Sequence, residues 1–160
     1  MEQLVFVTIL SLIILVFVYE LWLNNLNIKS KDSPIPTNVE DVYKPNEYKQ
    51  WLAYTVDNHK FQKIKSVFNT IITIALLVFG VFPVFIKISE SLSNNINIQI
   101  LIFMGLYSLI EYIMGIFFSY YKTFTIEEKY GFNKTTKKIF LKDKIKSLVL
   151  TIILGGGLVY

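Results

Sequence analysis

The sequence predicts an all-α, polytopic membrane helical bundle of about four transmembrane helices, the last one truncated, with a long second helix extending into the cytoplasm. Three observations lead there. Of the 160 residues 53% are hydrophobic and only 18% charged, and the mean hydropathy is +0.48, too apolar a balance for a soluble domain. The apolar residues come in runs long enough to cross about 30 Å of hydrocarbon at about 1.5 Å per helical residue. The cations, all sixteen of them lysine, gather in the segments between those runs, where orientation in a bilayer requires them.

The first span is read at residues 4–23, interrupted only by Thr8, Ser11 and Glu20. Tyr19 and Trp22 stand where an interfacial aromatic belt belongs, and Glu20 can snorkel to the same interface. A cleavable signal peptide fits less well, because Glu2 replaces the usual basic start and no small-x-small cleavage site follows. Residues 24–45 hold Pro34, Pro36 and Pro45 among polar residues and read as an extended connector. Pro45 suits a first helical turn, and Tyr54, Phe61, Ile64, Phe68, Ile71 and Ala75 then recur at helical spacing. A single long helix is expected from Asn46, solvent-side at first and in the membrane over 67–88, with Gly80 and Pro83 kinking it.

A polar link at 89–97 leads to a third span at 98–121. Glu111 lies near its middle, where an acidic group costs at least ~2.5 kcal/mol, so it is expected to face other helices or a water-filled cavity. Gly115 and Ser119 form a small-xxx-small pair on the same span. Residues 122–144 are polar, helix resumes near Phe140, and 145–160 is apolar for only sixteen residues. The fourth span is therefore expected to be incomplete and the chain a piece of a longer protein.

Seven lysines fall in 24–65, eight in 122–146, and Lys87 stands at the edge of the middle link. The positive-inside rule then puts the loops 24–66 and 122–144 in the cytoplasm and the amino terminus outside or in a lumen. The membrane would be of the endoplasmic-reticulum type in a eukaryote and the cell membrane in a prokaryote. On that topology the sequon Asn133-Lys134-Thr135 never meets the glycosylation machinery. The lysines make no separate basic face with stacking aromatics, so nucleic acid is not an expected partner; the lipid bilayer is.

Catalytic chemistry is not encoded in these residues. There is no cysteine and one histidine, His59, so neither a Cys-based metal site nor the two histidines of His-Glu-x-x-His can be built. A Ser/His/Asp set and a phosphate-binding Gly-rich loop are missing too. No metal and no cofactor are expected on this chain.

One polar stretch is more than a spacer. In 124–136, FTIEEKYGFNKTT, Glu127 and Glu128 follow the end of a helix, where the negative end of the macrodipole disfavours them by a few tenths to about 1 kcal/mol each. They need partners, with Lys122 and Lys129 the nearest. Gly131 between Tyr130 and Phe132 predicts a turn with positive φ, and Asn133, Thr135 or Thr136 can cap the helix that follows.

The stretch TFTIEEKYGFNKTTKKIFLKDKIKSLVL also resembles the hallmark cytoplasmic loop of the CAAX prenyl protease type 1 family, multi-spanning membrane zinc endopeptidases. The matching residues are Phe124, Ile126, Glu127, Glu128, Lys129, Gly131, Phe132, Asn133, Thr136, Phe140, Asp143 and Lys146. Upstream, Tyr48, Tyr54 and Phe61 resemble the family's helix entering the second span. The likeness covers about 34–157, the family's amino-terminal membrane domain; one departure is Ile113-Met114-Gly115, where family members often carry a Leu-Pro step.

The resemblance implies a full-length protein that binds zinc, activates water and cleaves isoprenylated or other membrane-proximal peptides in a helical chamber. Its zinc ligands lie in a downstream half. This chain would supply chamber wall and a docking loop for that catalytic region and be inactive alone. The competing expectation is a stand-alone, non-enzymatic membrane interaction or assembly protein.

Overall fold

A computed structural model describes residues 2–29 and 45–159. The described residues form five α-helices: α1 (Glu2–Lys29), α2 (Pro45–Val78), α3 (Val81–Leu92), α4 (Ile96–Tyr121) and α5 (Lys137–Val159), with a π-helical segment, Lys122–Glu127, continuing α4. Most of the connector between the first two helices, with Pro34 and Pro36, lies outside the described residues. Helices spanning Gln3–Lys29, Asn46–Val78 and Ile96–Glu127 are long and apolar enough to cross a membrane. The incomplete fourth span expected at 145–160 falls on α5 as far as Val159, and α5 is not among those three. The chain divides into two compact units, Met1–Ala75 and Leu76–Tyr160.

In the first unit α1 and α2 meet through polar side chains. Ser66 donates to a Glu20 carboxylate oxygen at 3.0 Å, His59 Nδ1 lies 2.7 Å from Asn24 Oδ1, and Lys63 Nζ donates to Asn25 Oδ1 at 3.4 Å. Glu20 is therefore held by the neighbouring helix. Of the apolar residues read on α2, Ile64, Phe68 and Ile71 are exposed, Tyr54 and Ala75 half-buried and Phe61 buried. Lipid is as apolar as Leu and gives no drive to hide Phe68 or Ile71. Hydroxyls elsewhere in the unit fold back on their own helices, as Thr8 does to the Leu4 carbonyl (2.8 Å) and Thr73 to that of Asn69 (2.9 Å).

The single helix expected from Asn46 to the end of the second span is instead two helices. Gly80 adopts the left-handed conformation (φ 67°, ψ 30°) and its N–H donates to the Leu77 carbonyl at 3.3 Å. That ends α2, because a left-handed residue cannot continue the ladder. Pro83 then sits in the first turn of α3, where its missing N–H costs no helical bond. The two residues read as a kink make a stop and a restart.

In the second unit α3 and α4 pack through a cluster of rings. Phe82 lies 6.5 Å from Phe85, 6.2 Å from Phe103 and 6.0 Å from Tyr107, and Phe85 meets Phe103 edge-on at 6.2 Å; such pairs contribute about 0.5–1.5 kcal/mol each beyond burial. Beneath them Ser89, 2% exposed, returns its hydroxyl proton to the Phe85 carbonyl at 2.7 Å. The polar link expected at 89–97 is shorter, because α3 runs to Leu92 and Asn95 caps α4 by accepting from the Asn97 N–H at 2.9 Å. Gln99 Nε2 closes the turn on the Ser93 carbonyl at 2.8 Å. α4 is continuous helix through Ile113-Met114-Gly115.

A Cβ at Gly80 meets no neighbour within 4 Å, so the backbone alone is at stake there. Gly80→Val is expected to cost at least ~1 kcal/mol through its left-handed φ. Thermal unfolding in detergent checks this, with Gly80→Asn as the tolerated control; equal melting of both would place the break elsewhere.

Candidate functional site

The stretch 124–136 is more helical than its polarity suggests. Helix continues from α4 through the π-helical turns of Lys122–Glu127 to Lys129, and only the turn at 130–131 and the extended 132–136 separate it from α5. The loop expected at 122–144 is thus shortened from both sides, since α5 begins at Lys137, ahead of Phe140. Wider π-turns bond residues five apart and recur at functional sites. Lys122 and Glu127, five apart, meet at 3.8 Å.

Gly131 ends this helix at φ 76°, the positive value that its place between two aromatics predicts. Its N–H donates to the Glu128 carbonyl at 3.0 Å and the Phe132 N–H reaches back to the Glu127 carbonyl at 2.8 Å. Those two bonds are the paired closure of a Schellman motif with Gly131 at the left-handed position. The Asn133 N–H shares the Glu127 carbonyl at 3.2 Å. The backbone of both glutamates is thereby committed to closing the helix.

Their side chains have partners inside the same turn. Asn133 Nδ2 donates to Glu128 Oε2 at 2.6 Å, and Asn133 Oδ1 accepts from the Thr135 N–H at 2.7 Å, so one amide ties the carboxylate to the outgoing backbone. Glu127, the less exposed of the pair, faces Lys122. Lys129 Nζ lies 5.1 Å over the Tyr130 ring, a cation–π arrangement. Of the two lysines expected to partner the carboxylates, Lys122 meets Glu127, and Asn133 supplies the partner of Glu128, so the unfavourable end of the helix dipole is offset locally.

Thr136 takes the capping role left open among three residues. Its Oγ1 accepts from the Ile139 N–H at 3.3 Å and its carbonyl from the Phe140 N–H at 2.9 Å, the N-cap geometry of α5. Under the turn Ile126 and Phe140 are buried. Phe140 stands edge-on to Tyr120 (5.8 Å) and Phe124 (5.5 Å), which are 4.8 Å apart, and Lys144 Nζ lies 5.2 Å over the Phe140 ring. Above this floor Phe132 is 53% exposed. Asp143 and Lys146 are exposed, three residues apart on α5.

Deeper along α4, Glu111 is half-buried in an open groove of about 370 Å³ lined by Tyr107, Ser108, Tyr112, Gly115, Ile116 and Lys144. Tyr107 donates to Glu111 Oε1 at 3.5 Å, and the Tyr112 hydroxyl donates to the Lys144 carbonyl, tying α4 to α5. Sequence reasoning missed Tyr112 and the Tyr120–Phe124–Phe140 triad. The four-residue spacing of Tyr120 and Phe124 was the available signal for the triad; a tyrosine seeking a carbonyl 32 residues away leaves none.

No group of three or more His, Cys, Asp or Glu among the described residues is placed to hold a metal ion. The one histidine contacts Asn24, and a zinc site asks for three or four N, S or O ligands around one point. The donor set among the described residues does not fit a catalytic zinc.

Fold and hydropathy together define an integral, polytopic helical membrane protein. The sequence model described as CAAX prenyl protease N-terminal, five membrane helices, matches residues 24–160, and the chain belongs to that family. It is 31% identical over 125 residues to a CAAX prenyl protease 1 homolog of Caenorhabditis elegans, covering 78% of this chain and 27% of the relative. With the CAAX prenyl protease 1 of Saccharomyces cerevisiae the identity is 29% over 142 residues, covering 82% and 31%. The crystal structure of S. mikatae Ste24p superposes with a TM-score of 0.81 at 26% identity, over 97% of this chain and 37% of that one. The chain spans roughly a third of the length of these relatives and corresponds to their amino-terminal membrane part.

Two substitutions test the turn. Gly131→Val is expected to cost at least ~1 kcal/mol because a β-branched residue is forced to positive φ. Asn133→Ala, which removes the Glu128 hydrogen bond and the bond to the Thr135 N–H, is expected to cost about 1 kcal/mol. Chemical denaturation in detergent reads both; unchanged midpoints would mean that the turn is held by something other than these contacts.

Proposed function

We propose that this chain is the amino-terminal membrane part of a zinc metalloendopeptidase that cleaves isoprenylated or other membrane-proximal peptides. In this reading it forms part of the wall of the reaction chamber and docks the catalytic, zinc-bearing region through the turn at 127–136. The Schellman closure at Gly131 carries the proposal. It holds the exposed Phe132 ring and the exposed Glu128 and Lys129 side chains on a rigid backbone over a packed aromatic floor. Loops that present side chains from a fixed scaffold are where binding residues concentrate. Local pairing does not use up a carboxylate with about four lone-pair sites, so Glu127 and Glu128 can still accept from basic groups of the catalytic region. Asp143 and Lys146, exposed on the following helix, extend the same surface.

The zinc would be bound by the catalytic region, and every chemical step would take place there. The residues of this chain position that region and exclude water from its flank. By the distribution of lysines the turn lies on the cytoplasmic side and the amino terminus on the opposite side.

The test is a chimera in which this chain replaces the matched amino-terminal part of the Saccharomyces cerevisiae relative. It is expected to insert in membranes, bind zinc and cleave an isoprenylated CAAX peptide. Glu127→Gln with Glu128→Gln in that background is expected to lower cleavage about fivefold, the equivalent of ~1 kcal/mol of docking. A folded chimera that binds zinc and does not cleave the peptide would overturn the protease assignment; wild-type cleavage by the double variant would overturn the docking role alone.

A further inference from the structure

Glu111 is an acid within a membrane span, in an open groove of about 370 Å³ that α4 lines together with Lys144 of α5. Ser108, Glu111 and Gly115 follow one another at steps of three and four residues, so they form a single stripe along α4, with Tyr112 beside it. Two small residues, seven apart, flank the carboxylate. A Cβ built on Gly115 finds no atom within 4 Å, so the space above it is open. On the other side the hydrogen bond from Tyr112 to the Lys144 carbonyl fixes α5 as a wall.

Within the described residues the carboxylate is bonded by Tyr107 alone, at the long distance of 3.5 Å. The lysine nearest in the lining, Lys144, has its ammonium over the Phe140 ring. An acid in a bilayer that keeps most of its acceptor sites open calls for a donor of opposite charge, and small residues beside it let a second backbone come close.

We infer that this groove seats a further membrane helix of the same full-length protein, one that brings a Lys or Arg side chain to Glu111. The inference rests on the reading that the chain is the amino-terminal part of a longer protease. Charge complementarity selects the occupant: a lipid chain would fill the groove and leave the carboxylate bare, and a second copy of α4 would oppose Glu111 with another acid. Small side chains at 108 and 115 set the approach. They suit an aliphatic stem lying along the groove toward a carboxylate at its centre.

The chain has no cysteine, so a single introduced thiol reports on one place. Ser108→Cys, carried by a chimera with the Saccharomyces cerevisiae relative that has no other cysteine, is modified with a benzophenone maleimide, irradiated in membranes and mapped by mass spectrometry. The expected product is an intramolecular cross-link to a membrane segment downstream of the replaced part, close in sequence to a Lys or Arg. Glu111→Leu is expected to reduce its yield several-fold and to lower the melting temperature, while Glu111→Gln, which still accepts a hydrogen bond, retains most of both.

Adducts with lipid only, or with a second copy, overturn the seating whatever the chimera cleaves. Cleavage of the isoprenylated peptide is read in the same preparation and reports on the protease assignment separately. A cross-link without cleavage keeps the seating and removes the assignment; cleavage without a protein cross-link does the reverse.

Discussion

Hydrocarbon offers no water to hydrogen-bond, and that constraint organises nearly every contact described. Ser89 is almost fully covered because its hydroxyl returns to the Phe85 carbonyl; Thr73 does the same on α2. Side chains that cannot satisfy themselves satisfy a neighbour, as Tyr112 does with the Lys144 carbonyl, and these bonds stand beside the ring clusters that join α3 to α4 and α4 to α5. Apolar residues, which need no partner in lipid, are left facing outward over most of α1, with Leu4 and Leu15 more than half exposed. The usual order of a soluble core is reversed because the solvent is.

The turn at 127–136 satisfies its own backbone and charges. A helix end leaves carbonyls without intrahelical partners, and here the Glu127 and Glu128 carbonyls accept from the three N–H groups that follow the helix. The two acidic side chains stand where the dipole opposes them and are balanced by a lysine one π-turn back and an amide five residues ahead. Polar residues of one short segment thus perform backbone closure, charge balance and capping of the next helix.

Much of this was legible in the sequence where a residue type has one physical use. Gly131 between two rings meant positive φ, Pro45 meant a helix start, Thr136 was among three possible caps, and apolar runs meant spans. Legibility failed where one residue type has two uses. Gly80 and Pro83 fit a bent helix as well as a broken one, and the difference lies in a backbone angle that composition does not carry. The π-helical segment left no trace, because its residues are ordinary helix residues and the extra width is a matter of register.

That register has a consequence for how the turn and α4 are joined. Each residue advances an α-helix by about 100°, so a π-turn acts as a local surplus of chain that rotates everything after it relative to the face before it. The Glu111 stripe lies before the surplus and the Gly131 closure after it. Their angular relation around the helix axis is consequently set by the length of Lys122–Glu127, and a one-residue deletion there would turn the closure and α5 to another side, carrying the Lys144 carbonyl away from Tyr112.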